Sequence, residues 1–485
     1  MSIIIPANSA AGGGGLGYQV ANSCRFNSAS SDSLFRTTES ATNIDKYTFS
    51  IWVKRSILGA SNCKIWAIRG SSANEQGNLE FNGDFLAWEA TGGAGGNTTY
   101  KLKTNATFRD PAAWYNIVVA FDSTQGTADN RLKMYINGVE ETSFSARTNP
   151  SSGFDPIIQQ SGYILRLGQT VPDGGGQHFD GYFAETVFVD GQQLTATSFG
   201  EFNSDSGIWV PKEDLADDLT FGNNGFYLEY KDSSALGADT SGNSNNFSVK
   251  NLAAIDQTTD TCTNNFATLN SLYKQDGVFS QGNLAYTISA SDFDSALSTI
   301  APSLGKWYFE TKITAQAGSN TTRSAFGICD VRDGNLISED ELGQNPSGRL
   351  GDTLGYAGNG SGNVLKNGSD QGSGFNTTYG TNDILSCAVD LDNGAVYYRK
   401  NGSSWFNSGN PESGSSRTGA VTITTGQEYV FGNTAYAGSA FIMNFGNPAF
   451  TGTDQADGND RGSFEYAVPS GYLALCSLNL SEVLS

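Results

Sequence analysis

Asp383–Trp405 reads DILSCAVDLDNGAVYYRKNGSSW, and its spacing sets a geometry by itself. Leu385, Cys387, Val389 and Leu391 stand at every second position, with Ser386, Ala388, Asp390 and Asp392 between them. That is the period of a strand buried on one face. Asn393-Gly394 follows, a pair that tolerates positive φ in a tight turn. Ala395–Arg399 predicts the returning strand and Asn401-Gly402 a second turn. The stretch reads as an antiparallel meander with Cys387 in its core.

Outward from it stand Gly305-Lys306-Trp307-Tyr308-Phe309-Glu310, Ala325-Phe326-Gly327-Ile328-Cys329, Leu354-Gly355-Tyr356 and Asn444-Phe445-Gly446. Together with the meander, and in this order, they resemble a SPRY domain over 285–450. The resemblance implies a β-sandwich that binds peptides or other ligands through its loops. Nearly all of these aromatics and glycines are expected to build the sandwich itself.

The chain has 485 residues, too many for one sandwich and enough for two or three domains. Its 59 glycines, with Asn, Ser and Thr dense between apolar runs, argue for many short strands joined by turns. No long stretch carries a helical period. The fold class expected is all-β, as tandem antiparallel β-sandwiches.

Upstream, Tyr47–Lys54 alternates, as do Leu79-Glu80-Phe81 and Leu132–Ile136 before Asn137-Gly138. Turn residues separate these runs at the spacing of a two-sheet jelly roll. The series YTFSIWVKRS, AWYNIVVAFDS, LKMYINGVE, ILRLGQ and FDGYFAETVFVDGQQL resembles a concanavalin A-like or laminin G-like domain over 22–200. Laminin G-like relatives often carry Asp beside the Glu that follows Phe-Asp-Gly-Tyr. Here Ala184-Glu185 stands instead, so the resemblance carries no calcium or catalytic role to that position.

DGYFAETVFVDGQQL is also similar to versions in structural proteins of bacteriophages, marine phages in particular. So are SIIIPANSAAGGGG at the start and VPSGYLALCSLNL at 468–480, in the same order. This likeness implies a virion fiber or appendage, on the tail or the head, assembled in a host cytoplasm and displayed at the virion surface. Residues 1–21, with the run Ala10–Gly15, cannot bury a core. They read either as a disordered tail or as an attachment segment that orders on meeting other virion proteins.

Residues 201–284 read as a β-rich bridge with a strand at Gly225–Tyr230 and a polar loop at Asp239–Phe247. The loop resembles the opening of many laminin G-like domains, which implies that the bridge packs on a sandwich. Asp239, Asn243 and Asn245 offer the hard oxygen ligands that Ca²⁺ prefers, although tight turns use the same residues. No other cofactor is expected. Residues 451–485 form a C-terminal tail, where alternation at Tyr472, Leu473, Leu475 and Leu478 would fit a closing strand.

Charge and composition narrow the function. The net charge of −21 repels phosphate backbones and anionic lipid, so neither nucleic acid nor membrane is the expected partner. No apolar run of about 18 residues and no basic-then-apolar leader stands out. The six cysteines lack CxxC spacing, which suggests neither a zinc site nor a disulfide framework. Nothing in the sequence requires a pairing of Cys24 with Cys63, and reduced thiols are expected.

The single histidine, His178, would have to serve any Ser-His-Asp or Cys-His mechanism, and no GxSxG elbow presents a nucleophile. Concanavalin A-like glucanases present paired carboxylates as ExDxE or ExDxxE, and neither pattern occurs. The nearest cluster, Ser338-Glu339-Asp340-Glu341, reads as a solvated loop. The expectation is therefore a non-enzymatic binding protein for a host-surface glycan or protein, in a homo-oligomer such as a trimer. The alternatives are a virion-associated polysaccharide-degrading enzyme and a SPRY-type adaptor. Trp88, Trp209 and Trp405 lie near predicted turns and are the candidate ligand-facing aromatics, Trp405 foremost.

Overall fold

The computed structural model of the chain describes residues 17–70, 75–92, 98–170, 177–273, 276–289, 292–316, 324–332, 341–344, 351–358 and 362–483. The Ala10–Gly15 run of the expected attachment segment and the glycines before Gln177 lie outside them. The chain divides between Thr263 and Asn264 into two compact units. Both are all-β, built from antiparallel sheets.

In the first unit the strands run β1 (Ser23–Phe26), β2 (Ser33–Thr37), β3 (Lys46–Arg55), β4 (Cys63–Arg69), β5 (Gln76–Asn82) and β6 (Phe85–Gly92). They continue with β7 (Thr98–Thr107), β8 (Trp114–Asp122), β9 (Leu132–Ile136), β10 (Val139–Glu140), β11 (Phe144–Thr148) and β12 (Ile164–Leu167). The last are β13 (Gly181–Asp190), β14 (Gly200–Phe202), β15 (Trp209–Pro211), β16 (Phe226–Leu228), β17 (Ser248–Lys250) and β18 (Gln257–Thr258). One sheet has the order β10-β9-β8-β3-β13-β1-β18, with β16 also on β13. The other runs β11-β7-β6-β5-β4-β12-β2-β17. Asn137 and Gly138 both take positive φ between register partners Ile136 and Val139, the two-residue hairpin their sequence predicts.

Between these sheets lies one core that takes the inward residues of both, among them Tyr47, Phe49, Ile51, Trp66, Leu79, Phe81 and Trp88. A second apolar layer covers the opposite face of the β3-containing sheet. Trp52, Trp114, Val118, Tyr182 and Val187 meet Phe199, Trp209, Leu215 and Phe221 there. The expected bridge is thus divided at the unit boundary. Residues 201–263 belong to the first unit, where β16, β17 and β18 bond to β13, β2 and β1, and the remainder belongs to the second.

The second unit pairs a sheet centred on Lys306–Ala315 and Ile384–Asp390 with one centred on Tyr429–Tyr436 and Ala325–Asp330. Trp307, Phe309, Phe326, Leu385, Cys387, Val389 and Phe431 fill the space between. Cys329 and Cys387 are fully buried on core strands, as the alternation predicts. The meander turn differs from expectation. Asp390 pairs with Ala395, so four residues close the hairpin, and of Asn393 and Gly394 only Gly394 takes positive φ.

Residues 451–483 are not a loose tail. Phe464, Tyr472, Ala474 and Cys476 pack with Phe266, Tyr308 and Tyr397 over the outer face of the 384–390 strand. No closing strand forms at 468–480. Leu473 makes only an isolated bridge to Trp307, and Ser477–Val483 is a helix. Glu341 likewise departs from the solvated loop expected, for it is buried.

Candidate functional site

The outer face of the sheet containing β4–β7 carries a polar groove of about 360 Å³. Strand alternation builds it. In β5 the side chains of Leu79 and Phe81 enter the core, so Gln76, Asn78, Glu80 and Asn82 face the groove. Antiparallel register then aligns rows across the strands. One row is Lys64, Glu80, Ala87, Lys103, and the next is Ala67, Asn78, Glu89, Lys101. On the far side of Ala67 the second row continues through Arg166 to Phe35, with the guanidinium 5.0 Å from the ring centroid.

Opposite charges meet across β4–β5 and across β6–β7. Lys64 Nζ bonds Glu80 Oε2, and Lys101 Nζ lies 2.9 Å from Glu89 Oε2. Asn82 ties the first row together, donating to Glu80 Oε1 at 3.1 Å and accepting from Lys103 at 3.1 Å. The methyl side chains of Ala67 and Ala87 leave space between the longer groups. Asn78, 7% exposed, presents a buried Oδ1 with no hydrogen-bond partner among the described residues. Thr170 and Gln177, whose backbones join through a 3.0 Å hydrogen bond from the Thr170 N–H to the Gln177 carbonyl, complete one wall. The groove therefore offers donors and acceptors of both kinds with its charges balanced, a lining suited to a hydroxyl-rich or peptide ligand.

The expected aromatic sites fare differently. Trp88 is fully buried between the sheets, and its indole N–H donates to Tyr47 Oη at 2.9 Å. Trp209 is buried on the covered face, where it donates to Asn116 Oδ1 at 3.0 Å. Neither faces a ligand, because each indole fills a core layer and satisfies its N–H there. Trp405 is half-buried, with the Arg399 guanidinium 4.5 Å from its ring. Arg399 in turn donates to Tyr308 Oη and to the Ala467 carbonyl. Trp405 thus shields a buried cation and keeps only part of its surface for contact.

Asp239, Asn243 and Asn245 do come together, but as a hydrogen-bonded turn. Asp239 accepts from the backbone of Tyr227, Ser241 and Asn245 at 2.7–2.9 Å. Asn243 and Asn245 donate to the carbonyl of Gly225, and Asn245 Oδ1 accepts from Arg36. The oxygens proposed for Ca²⁺ on Asp239 and Asn245 are already engaged, one of them by a cation. Among the described residues no cluster of three or more His, Cys, Asp or Glu could hold a metal. Asp239→Ala is expected to cost the first unit about 1–3 kcal/mol through its stranded donors, equally with and without added Ca²⁺. Thermal unfolding under both conditions checks this, and a calcium-dependent gain confined to the wild type would return the metal to the loop.

His178 forms an isolated antiparallel bridge with Gln169. Besides Glu341, two further buried glutamates lie outside the groove among the described residues. Glu185 sits at a bulge in β13 with φ of 45° and accepts from Tyr227 Oη, and burial raises its carboxyl to about 8. Glu310 accepts from Tyr308 and from the backbone of Glu465 and Tyr466, and burial raises it as well.

Residues 17–198 match a laminin G-type family model described as the concanavalin A-like lectin/glucanases superfamily. Among solved structures the chain is similar to the SPRY domain of human HERC1, at 13% identity over 36% of this chain and 96% of that one, with a TM-score of 0.28. It is similar to a heptameric SAP-like pentraxin from Limulus polyphemus at 14% identity, over 37% and 75% of the two chains, with a TM-score of 0.25. Mouse laminin α1 domains LG4-5 align at 11% identity over 88% and 90%, with a TM-score of 0.30. No curated protein matches the chain. The groove was missed in the sequence because its residues are the ordinary polar positions of alternating strands. Only the mixture of Lys, Glu and Asn across consecutive strands signals it.

Proposed function

We propose that this chain is a non-enzymatic binding protein of a phage virion, a tail or head fiber or similar appendage, whose first sandwich docks a host-surface glycan or protein. The observation that carries the binding reading is the polar groove across β4–β7, with charges balanced and Asn78 Oδ1 unpartnered among the described residues. A non-enzymatic role is supported by both groove glutamates being tied to lysines rather than set as an acid and nucleophile pair. The virion setting rests on the likeness of the 2–15, 180–194 and 468–480 segments to phage structural proteins. In this reading the N-terminal segment attaches to other virion proteins and copies associate, as a trimer or another closed ring. Among the described residues no helix is long and apolar enough to cross a membrane.

Two measurements test it. The labelled full chain should bind host cells and purified host surface polysaccharide. Asn78→Ala with Lys101→Ala should weaken that binding by about tenfold or more, since a lost hydrogen bond to a charged or buried group costs about 1.5–3 kcal/mol, while leaving the melting temperature near wild type. Unchanged binding in the double variant would remove the groove from the reading. Immunogold labelling of purified particles with antibody against 285–450 should decorate the capsid or tail, and bare particles beside abundant soluble protein would end the virion assignment.

A further inference from the structure

Lys54, near the end of β3, and Asp260, two residues past β18, are 206 positions apart in the chain yet place Nζ 2.7 Å from Oδ2. Their side chains are 1% and 0% exposed. Register puts Lys54 between Trp114 and Tyr182 on the covered face of its sheet. The Trp114 indole N–H donates to the other carboxylate oxygen, Oδ1, at 3.2 Å, and the Lys54 ammonium lies 5.5 Å from the Tyr182 ring centroid. The backbone of Asp260 is pinned too. Its carbonyl accepts from Ser23 Oγ at 2.6 Å, and its N–H donates to Thr258 Oγ1 at 2.9 Å.

A lysine and a carboxylate so enclosed face two outcomes. They can persist as an ion pair whose desolvation is only partly offset by attraction, or lose their charges. We propose that Lys54 and Asp260 condense into an intramolecular amide. A proton first passes from the ammonium to the carboxylate, leaving a neutral amine and a neutral acid. The Nζ lone pair then attacks Cγ, the new C–N bond forms, one C–O bond breaks, and that oxygen leaves as water with the second proton from nitrogen. Ammonium and carboxylate go to amide and water, with no oxidant, cofactor or co-reactant.

The surroundings favour each step. Burial lowers the Lys54 ammonium toward the amine, against the opposing pull of Asp260 and Asp110. Asp110 is itself raised by burial. The Trp114 N–H is placed to stabilise the oxyanion of the tetrahedral intermediate. Fixed approach of amine and acid supplies a high effective concentration. Among the described residues the other lysine–carboxylate pair buried on both sides, Lys64–Glu80, borders the open groove and lacks an indole donor. The product would tie the end of the first unit to its central strand and restrict the unfolded chain.

Intact mass of the purified full chain under denaturing conditions decides the matter, together with a proteolytic map. The expected mass is about 18 Da, one water, below the value for the sequence, with a branched peptide joining the Lys54 and Asp260 segments. Asp260→Ala should restore the full mass. Should that variant fail to fold, the wild-type map is sufficient alone. The full sequence mass after prolonged incubation at neutral pH, with the two peptides recovered separately, overturns the proposal, and so does a water loss mapped to any linear peptide.

Discussion

Glu310→Ala is expected to destabilise the second unit by about 3–5 kcal/mol, the scale of breaking a buried charged network. The carboxylate is fully buried in the middle of Lys306–Ala315. It accepts from Tyr308 Oη at 2.7 Å, from the Glu465 and Tyr466 backbone at 2.8 and 3.1 Å, and from Asn444 at 3.4 Å. Tyr308 also accepts from Arg399 at 2.9 Å, and Arg399 reaches the Ala467 carbonyl at 2.7 Å. One side chain thus fastens the covering segment to the sheet. Its removal leaves several buried donors unsatisfied, each costing about 1–3 kcal/mol if water cannot reach it. Hydrogen exchange at 463–467 should rise sharply, and denaturant unfolding should shift with it. Unchanged protection there, with a loss below about 1 kcal/mol, would show that the apolar layer holds the segment alone.

Glu185→Gln is expected to flatten the pH dependence of the first unit and to stabilise it in alkali. The bulge between Ala184 and Val187 turns this side chain into the covered layer, where it is 3% exposed. Burial raises its carboxyl from 4.5 to about 8, against hydrogen bonds from Tyr227 and Tyr18. Because the folded value is the higher one, the folded state holds the proton more tightly than the unfolded chain. Stability from this group is fully present below about pH 4.5 and is lost as pH rises through about 8. The interval corresponds to a loss on the order of 4–5 kcal/mol. Asp180, raised by burial to about 6, acts in the same direction. Urea unfolding of wild type and variant at pH 5 and pH 9 isolates the glutamate. Equal differences between the two proteins at both values would show that Glu185 is ionised throughout.

Much of the fold was legible in short-range pattern. Leu385, Cys387 and Val389 enter the core their spacing assigns them, and Asn137-Gly138 makes its hairpin. The polar partners in those strands were not so legible. Ser386, Ser50 and Lys54 occupy positions that alternation assigns to the outer face, yet all are buried. Their faces are covered by chain that returns from far along the sequence, as residues 194–230 do over β3 and residues 463–476 over the 384–390 strand. The tryptophans were misleading for the same reason. Trp88 and Trp209 stand near turns in sequence, and a turn says nothing of which layer lies above it.

The sequence by itself determined the all-β class, the strand periods, the hairpin positions and the two regions of sandwich character. Each follows from a side-chain period of two and from backbone preferences that act over a few residues. Only the tertiary structure decided that 201–263 and 451–483 are integral layers, that Asp239, Asn243 and Asn245 form a closed turn, and that the face of β4–β7 retains a polar groove. Those outcomes depend on which distant segment covers which face and on the register that aligns Lys64 with Glu80 and Glu89 with Lys101. Pairing between strands is long-range, and alternation records the face of a residue without recording what will lie against it.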